Sequence, residues 1–200
     1  MGRPSNRAQR RAQIVDGLLS IICREGYDGA SVAEIARSAG LASGLVHYHF
    51  PHKEAILVAL VEHLTTVLEG RFAQRLAQAT DDPLQRLDAF IDAHLAIDEQ
   101  ADPRAVAAWV AIGAEAVRRP EVQTLYESFC RQRLRVLEEI VGACGKGTLD
   151  DSEVPAVAAT LMAAIEGAFL MSTAAPGAIP SGSAAPTLRR AARALVGGGS

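Results

Sequence analysis

The densest run of reactive side chains is LASGLVHYHFPHK, residues 41–53, where His47, Tyr48, His49, His52 and Lys53 crowd together. Imidazole, phenol and ammonium groups of this kind can ligate a metal, move protons, or contact the bases and phosphates of a nucleic acid. Spacing separates these uses. His47 and His49 lie two apart and cannot share one helix face, and the three histidines do not follow a metal-ligand spacing. No metal and no cofactor is expected here. The chain has no nucleophile elbow, phosphate-binding loop or dinucleotide fingerprint, and its acids are spread as helix-surface charge, so an enzyme is not expected either. Recognition is the chemistry that remains.

The elements that must position these residues are legible just upstream. Ser31 is a good helix N-cap, and Glu34 three residues on can answer it as a capping box. Val32, Ile35, Ala36 and Ala39 then make one apolar helix face. Gly40 stops that helix, because glycine takes the left-handed conformation cheaply. Leu41 can plug into the core, and Ser43 can start a second helix running to about His49. A helix, a short turn and a second helix form the helix-turn-helix, whose second helix fits the DNA major groove. Within that helix Ala42, Ser43, Leu45 and Tyr48 are expected to face the groove, Gly44 to let the backbone approach DNA, and Val46 and Phe50 to point inward. On spacing alone, an ordinary helical hairpin fits the same pattern.

The pattern S-V-x-x-I-A-x-x-A-G-L-x-x-G-L-V-H-Y-H-F-x-x-K-E-x-I-L resembles the DNA-binding domain of the TetR family of transcriptional repressors, over about residues 8–58. The resemblance implies an all-α protein. Residues 1–51 would be a three-helix helix-turn-helix domain with a basic arm, and 52–200 a helical ligand-binding and dimerisation domain. Double-stranded operator DNA is the implied partner. His47 stands where many relatives carry a tyrosine that bonds a phosphate, and His49 belongs to the pair that closes the motif. Ser31 and Lys53 complete the expected DNA-contacting set, Lys53 through its charge at a helix N-terminus. His52 is a departure: relatives usually carry Ser, Asn or Asp there, so a weak cap is expected.

Charge supports one basic end. Residues 1–53 carry seven Lys and Arg against four Asp and Glu, whereas the remainder carries thirteen against nineteen. The first eleven residues hold Arg3, Arg7, Arg10 and Arg11 and no acid, which suits phosphate or minor-groove contact beside the main site. Composition rich in Ala and Leu, poor in aromatics and nearly free of strand-like alternation favours helices. Cys23, Cys130 and Cys144 form no ligand pattern, and no signal-peptide pattern opens the sequence, so a cytoplasmic protein is expected.

The rest of the chain reads as further helices at about 52–79, 83–100, 103–119, 120–145, 152–173 and 187–196, with Arg131, Arg133 and Arg135 expected at the surface of the fourth. The run from Val154 to Ala175 is long and apolar enough to tempt a membrane-spanning reading. Glu166 near its middle, Pro155 and the alanine-rich pattern instead suit a helix buried between protein surfaces, as in a homodimeric four-helix bundle, and no membrane contact is expected. The stretch WVAIGAEAVRRPEVQTLYESFCRQRLRVLEEIV resembles the ligand-binding half of the betaine-pathway repressor subgroup of the same family. That resemblance implies a small-molecule effector pocket, with Phe90, His94, Trp109, Glu115, Tyr126, Phe129, Met162, Glu166 and Phe169 as lining candidates. Each of these is also an ordinary core residue by type. An aromatic wall with a carboxylate would suit a cationic effector. A helical homodimer that binds a protein or membrane surface and never DNA is the rival reading; the basic head argues against it.

Overall fold

The computed structural model describes residues 6–197, and every regular element among them is helical. In order they are α1 (Asn6–Glu25), α2 (Val32–Ser38), α3 (Ser43–His49), α4 (Lys53–Leu76), α5 (Pro83–Leu95), α6 (Pro103–Ala116), α7 (Pro120–Cys144), α8 (Val154–Ala174) and α9 (Ala184–Val196). The all-α fold expected from the sequence is the fold observed. Helix ends differ in places. The helix expected to reach residue 100 stops at Leu95, because Asp98 is held by Arg71 and Arg75 and accepts a bond from the Gln100 amide, which turns the chain. Arg3 lies outside the described residues.

The chain forms two compact units: one through Thr66 together with Asp102–Tyr126, the other Val67–Ala101 with Glu127 onward. This grouping is not a single cut at residue 52. α6 belongs with α1, where Arg104 faces Asp16 at 3.4 Å and the Arg104 carbonyl accepts from the Cys23 thiol at 3.3 Å.

In the first unit, Ile14, Leu18, Ile21 and Ile22 of α1 are buried with Ile35 and Ala36 of α2, Val46 of α3, and Phe50. Full burial of a side chain of this size contributes roughly 1.5–3 kcal/mol. Gly17 lets α1 and α2 approach: a Cβ there would stand 3.0 Å from the Ile35 carbonyl oxygen and 3.2 Å from the Ala39 Cβ. The capping box is present as expected. The Ser31 hydroxyl accepts from the Glu34 amide at 3.2 Å, and Glu34 Oε2 accepts from the Ser31 amide at 2.9 Å. Gly40, at φ +66°, closes α2, and the Leu41 amide donates back to the Ala36 carbonyl at 2.9 Å. That turn sets where α3 begins.

In the second unit, Leu87, Phe90, Ile91 and His94 of α5 are buried, as are Leu161, Ile165 and Phe169 of α8 and Ala192 and Val196 of α9. Arg189 and Arg193 of α9 each pair at 2.5 Å with α5, on Asp92 and Asp88 respectively. α8 is long and apolar enough to cross a membrane by length and composition, with mean hydropathy 1.8 over a window that is only 28% buried. Between Ala156 and Met171 its exposed positions, Ala156, Ala159, Thr160, Ala163, Ala164, Gly167, Leu170 and Met171, form one stripe at helical spacing opposite the buried Ala158, Leu161, Ile165 and Phe169.

Candidate nucleic-acid interface and regulatory residues

α3 divides cleanly into two faces. Val46 and Phe50 point inward as expected, while Ala42, Ser43, Gly44 and His47 are exposed and Leu45 is half-buried. Tyr48 is 77% exposed, a large amphipathic side chain held out from a helix that is otherwise anchored. An added Cβ at Gly44 would meet nothing within 4 Å, so the backbone face there is open. His49 departs from its expected place. It is buried, its ring stands edge-on to Tyr48 at 5.1 Å between centroids, and its Nδ1 has no hydrogen-bond partner among the described residues. Burial first, then the charges of Arg7, Arg11 and Arg10, lower its pKa, which disfavours the charged ring.

Arg11 anchors the far end of α3, a role that its place in the basic arm does not announce. Its guanidinium lies 4.0 Å from the centre of the Phe50 ring and donates to the His49 carbonyl at 2.8 Å. A cation over an aromatic face and a charge-assisted bond to a helix-end carbonyl both fix the exit from α3. Arg7 is exposed, and Arg10 donates to Gln13 at 2.8 Å.

Two expectations at the start of α4 change. His52 is not a failed cap: its Nδ1 accepts from the Ala55 amide at 3.2 Å, the place a Ser or Asp oxygen would serve. Lys53 does not stand free for phosphate. Its ammonium donates to the Tyr27 carbonyl at 3.0 Å and lies 3.9 Å from the centre of the Tyr27 ring. Burial, then the nearby Arg119 charge, pull the Lys53 pKa down. Ser31 spends its hydroxyl on the capping box, donating to Glu34 Oε2 at 2.7 Å.

The effector-lining candidates fall into both units. In the first, Trp109 stacks on Tyr126 at 4.6 Å between ring centroids, and Gly113 makes room for the Tyr126 ring, whose hydroxyl would lie 3.1 Å from an added Cβ. Glu115 is buried and already answered: Arg118 reaches it at 3.4 Å, and Arg119 pairs with both Glu115 and Asp28. In the second, Phe90, His94, Met162 and Phe169 are buried, and Phe129 and Glu166 are half-buried. Arg133, expected at the surface, is instead buried, with its guanidinium 2.9 Å from Glu166 and 3.4 Å from the Met162 sulfur. The acid in the apolar helix is what draws it in, since a carboxylate there needs a counter-charge.

Comparison with known proteins agrees with this geometry. Residues 14–60 match the family model of bacterial regulatory proteins, tetR family, and residues 83–197 match that of the BetI-type transcriptional repressor, C-terminal. The chain belongs to the TetR family. Among curated relatives, the HTH-type transcriptional regulator BetI of Rhizobium meliloti (strain 1021) is 36% identical over 162 residues, covering 80% of this chain and 76% of the relative. BetI of Stenotrophomonas maltophilia (strain R551-3) is 32% identical over 136 residues, covering 64% and 69%. A solved structure of a transcriptional regulator from Pseudomonas aeruginosa PAO1 superimposes with TM-score 0.81 at 22% identity, over 96% of this chain and 92% of that one. A regulator from Saccharomonospora viridis, solved in complex with choline, gives 0.74 at 19% identity over 95% and 96%. These two likenesses show the shared fold. As a TetR-family member the chain is a DNA-binding transcriptional regulator; its family and relatives are regulators and not enzymes.

Proposed function

We propose that this TetR-family regulator is a homodimeric, cytoplasmic repressor that reads a palindromic operator through the outer face of α3 and leaves it when a small molecule binds. The observation that carries the reading is Tyr48, exposed on a helix whose opposite face is locked by Val46, Phe50 and the Arg11 clamp. Ala42, Ser43, Gly44, Leu45 and His47 share that outer face or its edge, and Arg7 and Arg10 flank it as phosphate contacts. Ser31 and Lys53 contribute through the backbone positions they fix, and buried His49 is left out of the contact set.

Two recognition helices of a dimer reach successive major grooves when they lie about one DNA turn, roughly 34–36 Å, apart. The exposed stripe of α8 supports a second copy as the partner that covers it: small side chains let helices pack closely in a bundle. The effector reading draws on the buried polar groups of the C-terminal half. Glu115 and Glu166 both already face arginines, which disfavours a cation beside either carboxylate.

Binding of full-length protein to operator and to shuffled duplex, compared for Tyr48→Ala and Arg7→Ala, tests this. Tyr48→Ala should lose roughly 1–3 kcal/mol on the operator only. Arg7→Ala should weaken both and lower the salt slope by about 1. Equal losses on both duplexes for Tyr48→Ala would remove it from base readout.

A further inference from the structure

His94, the one histidine of the second unit, is 6% exposed, and one of its ring nitrogens is unaccounted for. Nδ1 lies 2.7 Å from the Phe90 carbonyl, one turn back on α5. A carbonyl can only accept, so Nδ1 carries the proton. Burial, then the Arg133 charge, push the imidazolium form down to a pKa of about 3, so the ring is neutral and Nε2 keeps its lone pair. Nε2 is thus an acceptor, and it has no hydrogen-bond partner among the described residues. Since Nδ1 turns back toward α5, Nε2 on the other side of the ring points away from that helix. Phe90 lies 4.4 Å from the ring centre and Phe169 stacks at 6.4 Å.

Buried acceptors are rarely left unmet in folded proteins. The charges facing this one are Arg133 and Arg71, both of which disfavour a positive group beside it. Their acidic partners, Glu166 and Asp98, are engaged in ion pairs.

The geometry points to His94 Nε2 as an effector-recognition acceptor: it selects a ligand with an uncharged O–H or N–H donor, an alcohol or amide, whose apolar skeleton lies against Phe90 and Phe169. This rests on, and deepens, the effector-responsive reading. A ligand that only fills space, or that presents a cation to this point, leaves the acceptor unmet or faces two arginines. The donor group, and not a positive charge, is then what this subsite reads.

The test uses the full chain and matched pairs of probes: linear alcohols from butanol to decanol, benzyl alcohol and choline, each against its O-methyl ether. The ether keeps the skeleton and loses the donor. Affinity is read by calorimetry and melting shift, and the His94 ring by nitrogen NMR in the same samples. The expected result is an Nδ1-protonated ring in the free protein, a shift of the Nε2 resonance on alcohol binding, and about tenfold weaker binding of the matched ether. In His94→Phe the alcohol should lose that advantage; the NMR on wild-type protein decides the matter if this variant folds poorly. A proton on Nε2, ethers that bind as well as alcohols, an alcohol preference that survives in His94→Phe, or no alcohol binding at all would each overturn the proposal. Operator binding by the unliganded samples is measured alongside, so loss of the regulator reading registers separately.

Discussion

Arg133 on α7 pairs with Glu166 on α8 at 2.9 Å, inside the second unit and not at its surface. The pair explains how an acid is tolerated in the otherwise apolar α8. It also removes the carboxylate from the list of groups waiting for a cation. Breaking such a pair from one side is costly because the remaining charge keeps its desolvation without this counter-ion, whereas replacing both sides with apolar groups can be nearly neutral. Arg133→Met is therefore expected to cost roughly 1–3 kcal/mol in denaturant unfolding, and Arg133→Met with Glu166→Leu to recover most of it. Additive losses in the double variant would show that the pair is not coupled.

His94 gives the acid limb of the stability profile a signature. Its folded pKa, about 3, lies below the ordinary histidine value of about 6.5. Below about pH 6.5 the unfolded chain takes up a proton that the folded chain refuses, so this group's contribution is intact above that pH and is lost as pH falls toward 3. The slope from this one site is up to about 1.4 kcal/mol per pH unit. His94→Gln should flatten the wild-type slope between pH 6 and pH 4, measured by urea unfolding at each pH. Identical slopes would contradict a buried neutral ring.

The Arg11 clamp separates positioning from phosphate contact. Arg11→Lys keeps the charge but loses the planar cation stacked on Phe50 and the fork that reaches the His49 carbonyl. Arg11→Ala is expected to lower stability by about 1–2 kcal/mol, and Arg11→Lys to recover little of it, with thermal or urea unfolding of DNA-free protein as the readout. Wild-type stability in both variants would return Arg11 to the arm.

These residues mark how far the sequence could be read. α1 to α3, the capping box, the Gly40 turn and the inward Val46 and Phe50 follow from local spacing and turn chemistry, which act within a few residues. His49, Arg11, Lys53 and Arg133 sit away from their expected places because their partners are distant in the chain: Arg11 and His49 are 38 apart, Lys53 and Tyr27 are 26 apart, and Arg133 and Glu166 are 33 apart. Gly17 was missed for the same reason. Nothing in α1 announces that the Ile35 carbonyl will arrive where a Cβ would sit. Arg119 holding Asp28, 91 residues away, has no local signal at all.

The α8 stripe makes a prediction about assembly. Ala164 is exposed midway along it, so Ala164→Arg places a bulky charge where a second copy would pack. Sedimentation should show a dimer for the wild type and a monomer for the variant, with helical content unchanged. A variant that still dimerises would place the interface elsewhere.

The outer face of α3 is what we propose makes this chain a sequence-reading regulator. The direct measurement is an equilibrium titration of full-length protein against labelled duplex from the DNA upstream of its own coding region, beside a shuffled duplex of the same composition, at physiological salt. The expected result is two protomers per site and affinity at least about 10³ higher for the upstream duplex. Equal affinity for the two duplexes, or no binding to either, would contradict the account.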